Sequence, residues 1–332
     1  MKRVISSIIF VFSLCVALSA CSKEESSVLQ VPSGSIIVPY AGLQGSTTFD
    51  SRNISSIRVL STPKGWSVDA IDMYDGIITV TAPASFEDGE VRSGTLSLKG
   101  YTPTGNARTL SVFLAIAETI SFTEAANCFV ATAPKHRYAF DPLKGGDENT
   151  TLATAEVKLL WQTKSNLIKY LDMRENGDGK MEASFYLEED EDNEGKVYAG
   201  NALIGAYNAD GEIIWSWHIW LCDDIKEQNY NNQTWLDRNL GALAAEAGNP
   251  LNIGFYYQFG RKDPFRGAVA INENTYIATT GSWPAVTDAI PAAPEAYVIA
   301  NPMQLVARNK DPRDWFTTDT ATQNHSLWNS GG

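Results

Sequence analysis

The stretch Asn201–Leu221, NALIGAYNADGEIIWSWHIWL, limits the fold of this chain more than any other, because two apolar runs flank a polar turn and three tryptophans fall within six residues. Between the runs stands Asn208-Ala209-Asp210-Gly211, and Asp-Gly supplies the positive φ angles that a tight hairpin turn requires. The spacing predicts a β-hairpin. Side chains alternate across a strand, so Trp215, Trp217, Ile219 and Leu221 share one face while Ile214, Ser216, His218, Trp220 and Cys222 share the other. Large groups on both faces predict a central strand covered on both sides. Burying each indole contributes about 2–3 kcal/mol, so the hairpin anchors a domain. The competing reading places one or two of these indoles on a sugar-binding surface.

The first residues, MKRVISSIIFVFSLCVALSAC, combine a basic start at Lys2 and Arg3, an apolar run from Val4 to Ala17 and small residues before Cys21. Residues 1–20 read as a signal peptide, since the apolar run is short for a bilayer span. Leu18-Ser19-Ala20-Cys21 resembles the lipobox of bacterial lipoproteins, which implies that Cys21 is lipidated and opens the mature chain. At about 0.8 kcal/mol per buried methylene, several acyl chains make a durable anchor to the outer membrane. Ser22-Lys23-Glu24-Glu25 is similar to the acidic export tag of Bacteroidota surface lipoproteins, which implies a position facing the cell exterior. Residues 21–33 then form a lipidated tether.

Loss of Lys2 and Arg3 with the signal moves the formal net charge from −13 to −15. Such an acidic chain is a poor partner for nucleic acid. Of four cysteines, Cys15 leaves with the signal and Cys21 carries lipid, so Cys128 and Cys222 remain, either as a disulfide or as two buried thiols. His136, His218 and His325 stand far apart and no CxxC or HExxH motif occurs, so neither a metal site nor a cofactor is expected.

From residue 34 to 118, seven runs alternate apolar and polar residues: SIIVPY, TTFDS, SIRVLS, WSVDAI, GIITVTAP, GTLSLKGY and TLSVFLAIA. Turn residues such as Pro63-Lys64-Gly65, Asp75-Gly76 and Thr104-Gly105-Asn106 punctuate them. The pattern predicts a β-sandwich, with Trp66 in its core. Arg92-Ser93-Gly94-Thr95-Leu96-Ser97-Leu98, followed after a turn by Thr109-Leu110-Ser111-Val112, resembles the closing strands of Ig-like and BACON-type modules. The resemblance implies a spacer.

Residues 119–332 form a second region with strand candidates at Asn127–Ala131, Tyr138–Phe140, Glu156–Trp161 and Glu182–Leu187, so that the Trp-rich hairpin closes an antiparallel sheet. Asp172–Gly179 has the oxygen-rich look of a calcium loop, but Arg174 stands where an oxygen ligand belongs and Ala183 where a bidentate Glu should close the site. Asn176-Gly177-Asp178-Gly179 reads better as a hairpin turn. Glu188-Glu189-Asp190-Glu191-Asp192 would repel one another in a packed site and reads as a solvated loop; weak binding of Ca2+ or another divalent cation is the competing reading.

Farther on come WLDRNLGA and GFYYQFGRKDPF, with charges set among aromatics and glycines. A shielded charge must find a partner to offset its desolvation, so Asp237, Arg238, Arg261 and Asp263 are expected to form an ion-pair network. The competing reading is a ligand site built from Tyr256, Tyr257, Gln258 and Arg261, joined by Trp283. The tail from Ala268 to Trp328 is rich in Pro, Ala, Thr and Asn, with regular structure expected only at Ala296–Ala300 and Met303–Arg308. There Trp283, Trp315 and Trp328 either cap the core or stack on sugars.

Taken in order, NCFVATAP, GNALIGAYNADGEIIWSWHIWL, WLDRNLGA and GFYYQFGRKDPF resemble the fimbrillin-associated and Fibrobacter major-paralogue (FISUMP-like) lipoproteins of Bacteroidota over residues 120–332. The resemblance implies secretion, a surface setting and adhesion or carbohydrate recognition, with no catalytic residues. Members usually run past a dipeptide like Leu327-Trp328 into a Cys-Pro segment, whereas this sequence stops at Gly332, which implies a shortened member or an incomplete reading frame.

The expected fold is mostly β: an Ig-like sandwich, then a β-rich α+β domain with long irregular loops and a fold-level analogy to C-type lectins. The expected function is non-catalytic binding of a glycan or surface protein at the cell exterior. A subunit of a surface fimbria is the alternative. A glycan hydrolase ranks third, because no carboxylate pair stands in a recognisable catalytic phrase.

Overall fold

A computed structural model of the chain describes residues 26–223, 225–258, 260–265, 269–272, 275–278, 286–287, 293–306 and 315–316. Residues 1–20, read above as a signal peptide, and Cys21, Trp283 and Trp328 lie outside the described residues. The fold is mostly β.

All seven runs of the first region form strands: β1 (Ser35–Val38), β2 (Gln44–Thr48), β3 (Ser56–Ser61), β4 (Ser67–Asp72), β5 (Ile77–Thr81), β6 (Ser93–Tyr101) and β7 (Ala107–Ile116). They make two sheets, ordered β1-β7-β6-β3 and β2-β5-β4. Ile36, Val38, Leu96, Leu98, Val112 and Leu114 from one sheet meet Ile78 and Val80 from the other in a dry core. Trp66 lies in it, 5% exposed, with its indole N–H given to the Val91 carbonyl at 2.8 Å. The second run is displaced from its expected place. Phe49 is buried, but the ladder to β5 ends at Thr48, and the strand extends back through the polar Gln44–Ser46, where a glycine lets it lie against Val38.

A second sandwich uses β8 (Thr119–Ser121), β9 (Cys128–Ala131), β10 (His136–Phe140), β11 (Glu156–Gln162), β12 (Lys169–Glu175) and β13 (Met181–Leu187). After a small hairpin, β14 (Glu189–Asp190) and β15 (Asn193–Val197), it adds β16 (Gly200–Tyr207) and β17 (Ile213–Leu221). The sheets are ordered β12-β13-β10-β8 and β11-β16-β17-β9. Between them Phe129, Phe140, Phe185, Ile204, Trp217, Ile219 and Leu221 form the core. β17 is a central strand, as its two-faced pattern requires, but its sheet is not purely antiparallel: β16 pairs with it antiparallel and β9 parallel. The hairpin therefore fills the middle of the sheet instead of closing it.

Its turn also differs from expectation. Asn208 accepts from the Gly211 N–H at 3.1 Å and donates its own N–H to the Glu212 carbonyl at 3.0 Å, so three residues loop out and only Gly211 takes a positive φ, +81°. The same pattern closes β12–β13 at Asn176–Lys180 with Gly179 at +74°, and β6–β7 at Thr102–Asn106 with Gly105 at +86°. A type I turn followed by a left-handed glycine matches the twist of the strands it joins. The calcium-like phrase is thus a strand and a turn.

Beyond β17 the chain forms a ribbon, β18 (Glu227–Tyr230) and β19 (Gln233–Leu236), then the short pair β20 (Tyr256–Tyr257) and β21 (Pro264–Phe265), and a seven-residue helix, α1 (Pro294–Ala300), which packs on β17. Trp315 caps a small cluster with Val298 and Val306.

Tyr40, two residues after β1, joins the sandwiches. Its hydroxyl lies 3.2 Å from Ser184 Oγ and donates to the Tyr170 carbonyl at 3.3 Å, and the Arg137 and Arg174 guanidiniums approach its ring at 5.4 and 5.1 Å. Ala117 and Tyr186 pack beside it. Tyr40→Ala removes all of these contacts at once and is expected to cost about 3 kcal/mol, splitting one calorimetric unfolding transition into two. A single transition at the wild-type temperature would show that Tyr40 does not couple the sandwiches.

Candidate functional site

The outer face of β17 carries a buried polar layer. Asn201 on β16 gives its amide N–H to the Gly241 carbonyl at 3.0 Å, which leaves its oxygen facing His218 Nε2 at 2.8 Å. That oxygen can only accept, so Nε2 holds the imidazole proton and Nδ1 is bare toward Cys128 Sγ at 3.2 Å. The connectivity is thiol–imidazole–amide, the order found in cysteine hydrolases. Its electrostatics run the other way. Burial pushes the Cys128 thiol up to about 12 and the His218 imidazole down to about 4, so at neutral pH the proton stays on sulfur and neither group is charged. The layer is a satisfied hydrogen-bond chain.

Of the two readings of Cys128 and Cys222, the structure holds the second: both are free thiols. Parallel pairing sets Cys128 beside His218, and Cys222 lies four residues farther along, about 13 Å at ~3.3 Å per residue. Bridged α-carbons sit within ~7 Å.

The expected four-residue ion-pair network also resolves into separate contacts. Asp237 receives Arg238 Nε at 2.7 Å and Nη2 at 3.0 Å, a fork that holds its carboxyl below the usual range. Asp263 instead pairs with its neighbour Lys262 at 2.6 Å and accepts from Ser216 Oγ at 2.6 Å. Lys262, missed in the sequence, also donates to the Ser216 carbonyl and lies 4.6 Å from the Trp215 ring. Burial lowers its ammonium pKa.

Arg261, 7% exposed, directs its fork to the carbonyls of Gln304, Asn301 and Pro302 and to Gln258 Oε1, while Gln258 donates to the Val306 carbonyl. This clamp holds the segment after α1 against β21. The competing reading, a ligand site of Tyr256, Tyr257, Gln258 and Arg261, is not what these side chains assemble: Gln258 and Arg261 are occupied by each other and by the chain's own backbone, and Tyr257 is half-buried with its phenol pKa raised by burial. Tyr256 is exposed, and Trp283 lies outside the described residues.

A cleft of about 700 Å³ opens between the two sandwiches. One wall presents hydroxyls, Ser33 and Ser35 from the start of β1 and Ser46, Thr47 and Thr48 from β2. The other is the β14–β15 hairpin with Lys135, Lys169, Tyr186 and Tyr198. Alternation on β13 sends Phe185 and Leu187 into the core and Tyr186 outward toward the first sandwich. Tyr186 is 1% exposed, and among the described residues nothing bonds its hydroxyl. Burial first, then the nearby Glu188 carboxylate, raises its pKa.

The acidic run is not a free loop. Lys169 reaches Glu188 at 3.3 Å, Lys135 pairs with Glu189, which also accepts the Gly195 N–H at 2.8 Å, and Asp190 is held by Asn193 at 2.9 Å. No group of three or more His, Cys, Asp or Glu among the described residues is placed to hold a metal ion, and the run does not gather around a Ca2+. Lys135 and Tyr170 beside the cleft adopt left-handed φ angles of +58° and +53°, rare for such residues. No sequence pattern marks the cleft, because its walls come from segments a hundred residues apart.

No protein-family model matches the sequence, and no curated protein matches it. Among solved structures, the D00-D0 domain of intimin is similar over 58% of this chain and 96% of its own length, at 10% identity and a TM-score of 0.23. A Bacteroides ovatus surface protein, SGBP-B of a mixed-linkage glucan utilization locus, solved with a mixed-linkage heptasaccharide, is similar over 59% of this chain and 46% of its own, at 11% identity and a TM-score of 0.17. A Porphyromonas gingivalis protein of unknown function is similar over 57% and 97%, at 11% and 0.20. Scores this low carry no argument about function.

Two measurements test the polar layer. His218 is held neutral when folded yet titrates near 6.5 when unfolded, so the unfolded chain binds the extra proton between pH 6.5 and 4 and stability falls as pH falls through that window. The loss approaches about 3 kcal/mol by pH 4; a melting temperature flat from pH 7 to 4.5 would contradict it. Alkylation mapped by mass spectrometry is expected to spare Cys128 and Cys222 in the native protein and to label both in urea without reductant. A peptide linking the two would overturn the free-thiol assignment.

Proposed function

We propose that this chain is a non-catalytic, cell-surface binding protein that holds a glycan in the cleft between its two sandwiches. The observation that carries the reading is the cleft itself. Hydroxyls line one wall, charged groups the other, and a buried tyrosine presents a hydroxyl that the chain leaves without a partner. That hydroxyl lines the cleft and stays open to a partner from outside. Extended polyols suit such a surface, since each sugar hydroxyl both donates and accepts. Anchoring through Cys21 at the outer membrane agrees with a module that reaches outward, and the surface setting rests on the sequence resemblance.

A second reading, an accessory subunit of a surface fibre, draws on β3. It is an edge strand whose Val59 and Leu60 are exposed, an arrangement open to strand addition by another chain.

Affinity electrophoresis against plant, host and microbial polysaccharides tests the first reading. Retardation by at least one glycan without its consumption is expected, weakened about three- to tenfold in Tyr186→Phe, the equivalent of one hydrogen bond. A folded protein that ignores every glycan while forming concentration-dependent oligomers would favour the fibre.

A further inference from the structure

We infer that the ligand of this cleft is an amine-bearing polysaccharide segment, a run of amino sugars with free ammonium groups, and that acidic glycans are turned away; this rests on the reading of the cleft as the glycan site. The charge inventory of the walls carries the argument. The first sandwich contributes hydroxyls and no charge to the lining. The second contributes two cations, Lys135 and Lys169, and each is already paired, with Glu189 and Glu188. Three carboxylates are left in surplus. Asp190 is held by the Asn193 amide and the Asp192 N–H, hydrogen bonds that favour its ionised form and lower its pKa. Glu191 and Glu194 have carboxylates with no partner among the described residues.

Among the lining residues a uronate or sulfate would meet no unpaired cation and three like charges, with Lys164 near Asp190 a further cation acting on them, a juxtaposition that rejects partners more strongly than it costs the correct one. A polymer carrying both hydroxyls and ammonium groups meets complementary groups on each wall. The surplus carboxylates are spread along the hairpin and do not converge on a metal position, so positive charge distributed along a chain fits them better than a bare cation. The Tyr186 hydroxyl, independent of the acids, adds a donor and acceptor at the cleft that only a ligand or solvent can meet.

Isothermal titration of the purified full chain at pH 6.0 with four probes decides it: a fully deacetylated glucosamine hexamer, the N-acetylated hexamer, a hyaluronan hexasaccharide and hexalysine. The deacetylated hexamer is expected to bind about tenfold tighter than the acetylated one, with hyaluronan not bound. In Glu191→Gln/Glu194→Gln that tenfold advantage is expected to vanish, with the two hexamers binding alike. Equal affinity for both hexamers, unmoved by the double variant, would overturn the charge selection and leave the cleft as a glycan site. Hexalysine binding as tightly as the amino sugar, with the same loss in the double variant, would overturn the sugar in favour of a cationic peptide. Binding of no oligosaccharide, or binding indifferent to Tyr186→Phe, would remove the cleft reading itself.

Discussion

Strand β17 carries bulky groups on both faces, and most of the second half of the molecule follows from covering them. Trp217, Ile219 and Leu221 on one face require an opposing sheet, which β10 and β13 provide. Ser216, His218 and Trp220 on the other face are also buried, but they bring a hydroxyl, an imidazole and an indole N–H that need partners there. Leaving such groups without hydrogen bonds costs about 1–3 kcal/mol each. The chain therefore returns over that face with Ala242, whose carbonyl takes the Trp220 N–H at 3.0 Å, and with Lys262-Asp263. A purely apolar outer face would have accepted any greasy cover. This one accepts a cover that matches its donors and acceptors.

The same accounting separates structural polarity from polarity open to a ligand. Behind β17, the Asn201–His218–Cys128 chain and the Ser216–Asp263–Lys262 cluster are closed on themselves, the Arg261 clamp satisfies its two terminal nitrogens and leaves Nε buried without a hydrogen bond among the described residues, and burial holds both the thiol and the imidazole uncharged. In the cleft, Tyr186, Glu191 and Glu194 are not closed on themselves. A thiolate would need the first environment to be electropositive, and burial keeps the thiol protonated instead. The side chains still free to bond lie between the sandwiches.

Tyr40 fixes that second environment. By bonding Ser184 and the Tyr170 carbonyl it sets the first sandwich against the outward face of β13, so the hydroxyls of β2 and the acids of β14–β15 face one another. Neither wall makes a cleft alone. The irregular backbone at Lys135 and Tyr170, both at positive φ, lies where the two modules meet, as expected where tertiary packing over-determines a local conformation.

The alternation of apolar residues determined the strands of the first sandwich, the hairpin at Asn201–Leu221 and the burial of Trp66 and Trp217, because a strand's period of two is a local property and burial of large side chains dominates it. It left β12 unread, since Lys169–Glu175 is a polar strand in which the charges of Asp172 and Arg174 resemble a loop. Only the tertiary structure decided which charges pair. Asp263 chose the adjacent Lys262 over Arg261, and Arg261 turned to carbonyls forty residues away, choices fixed by distances that no spacing in sequence encodes. Only the tertiary structure kept Cys128 and Cys222 apart, through strand register, and brought Ser33 and Thr47 opposite Glu188 and Tyr186. A cleft is a relation between surfaces, and the sequence of one chain specifies each surface locally but their juxtaposition only through the packing of the whole.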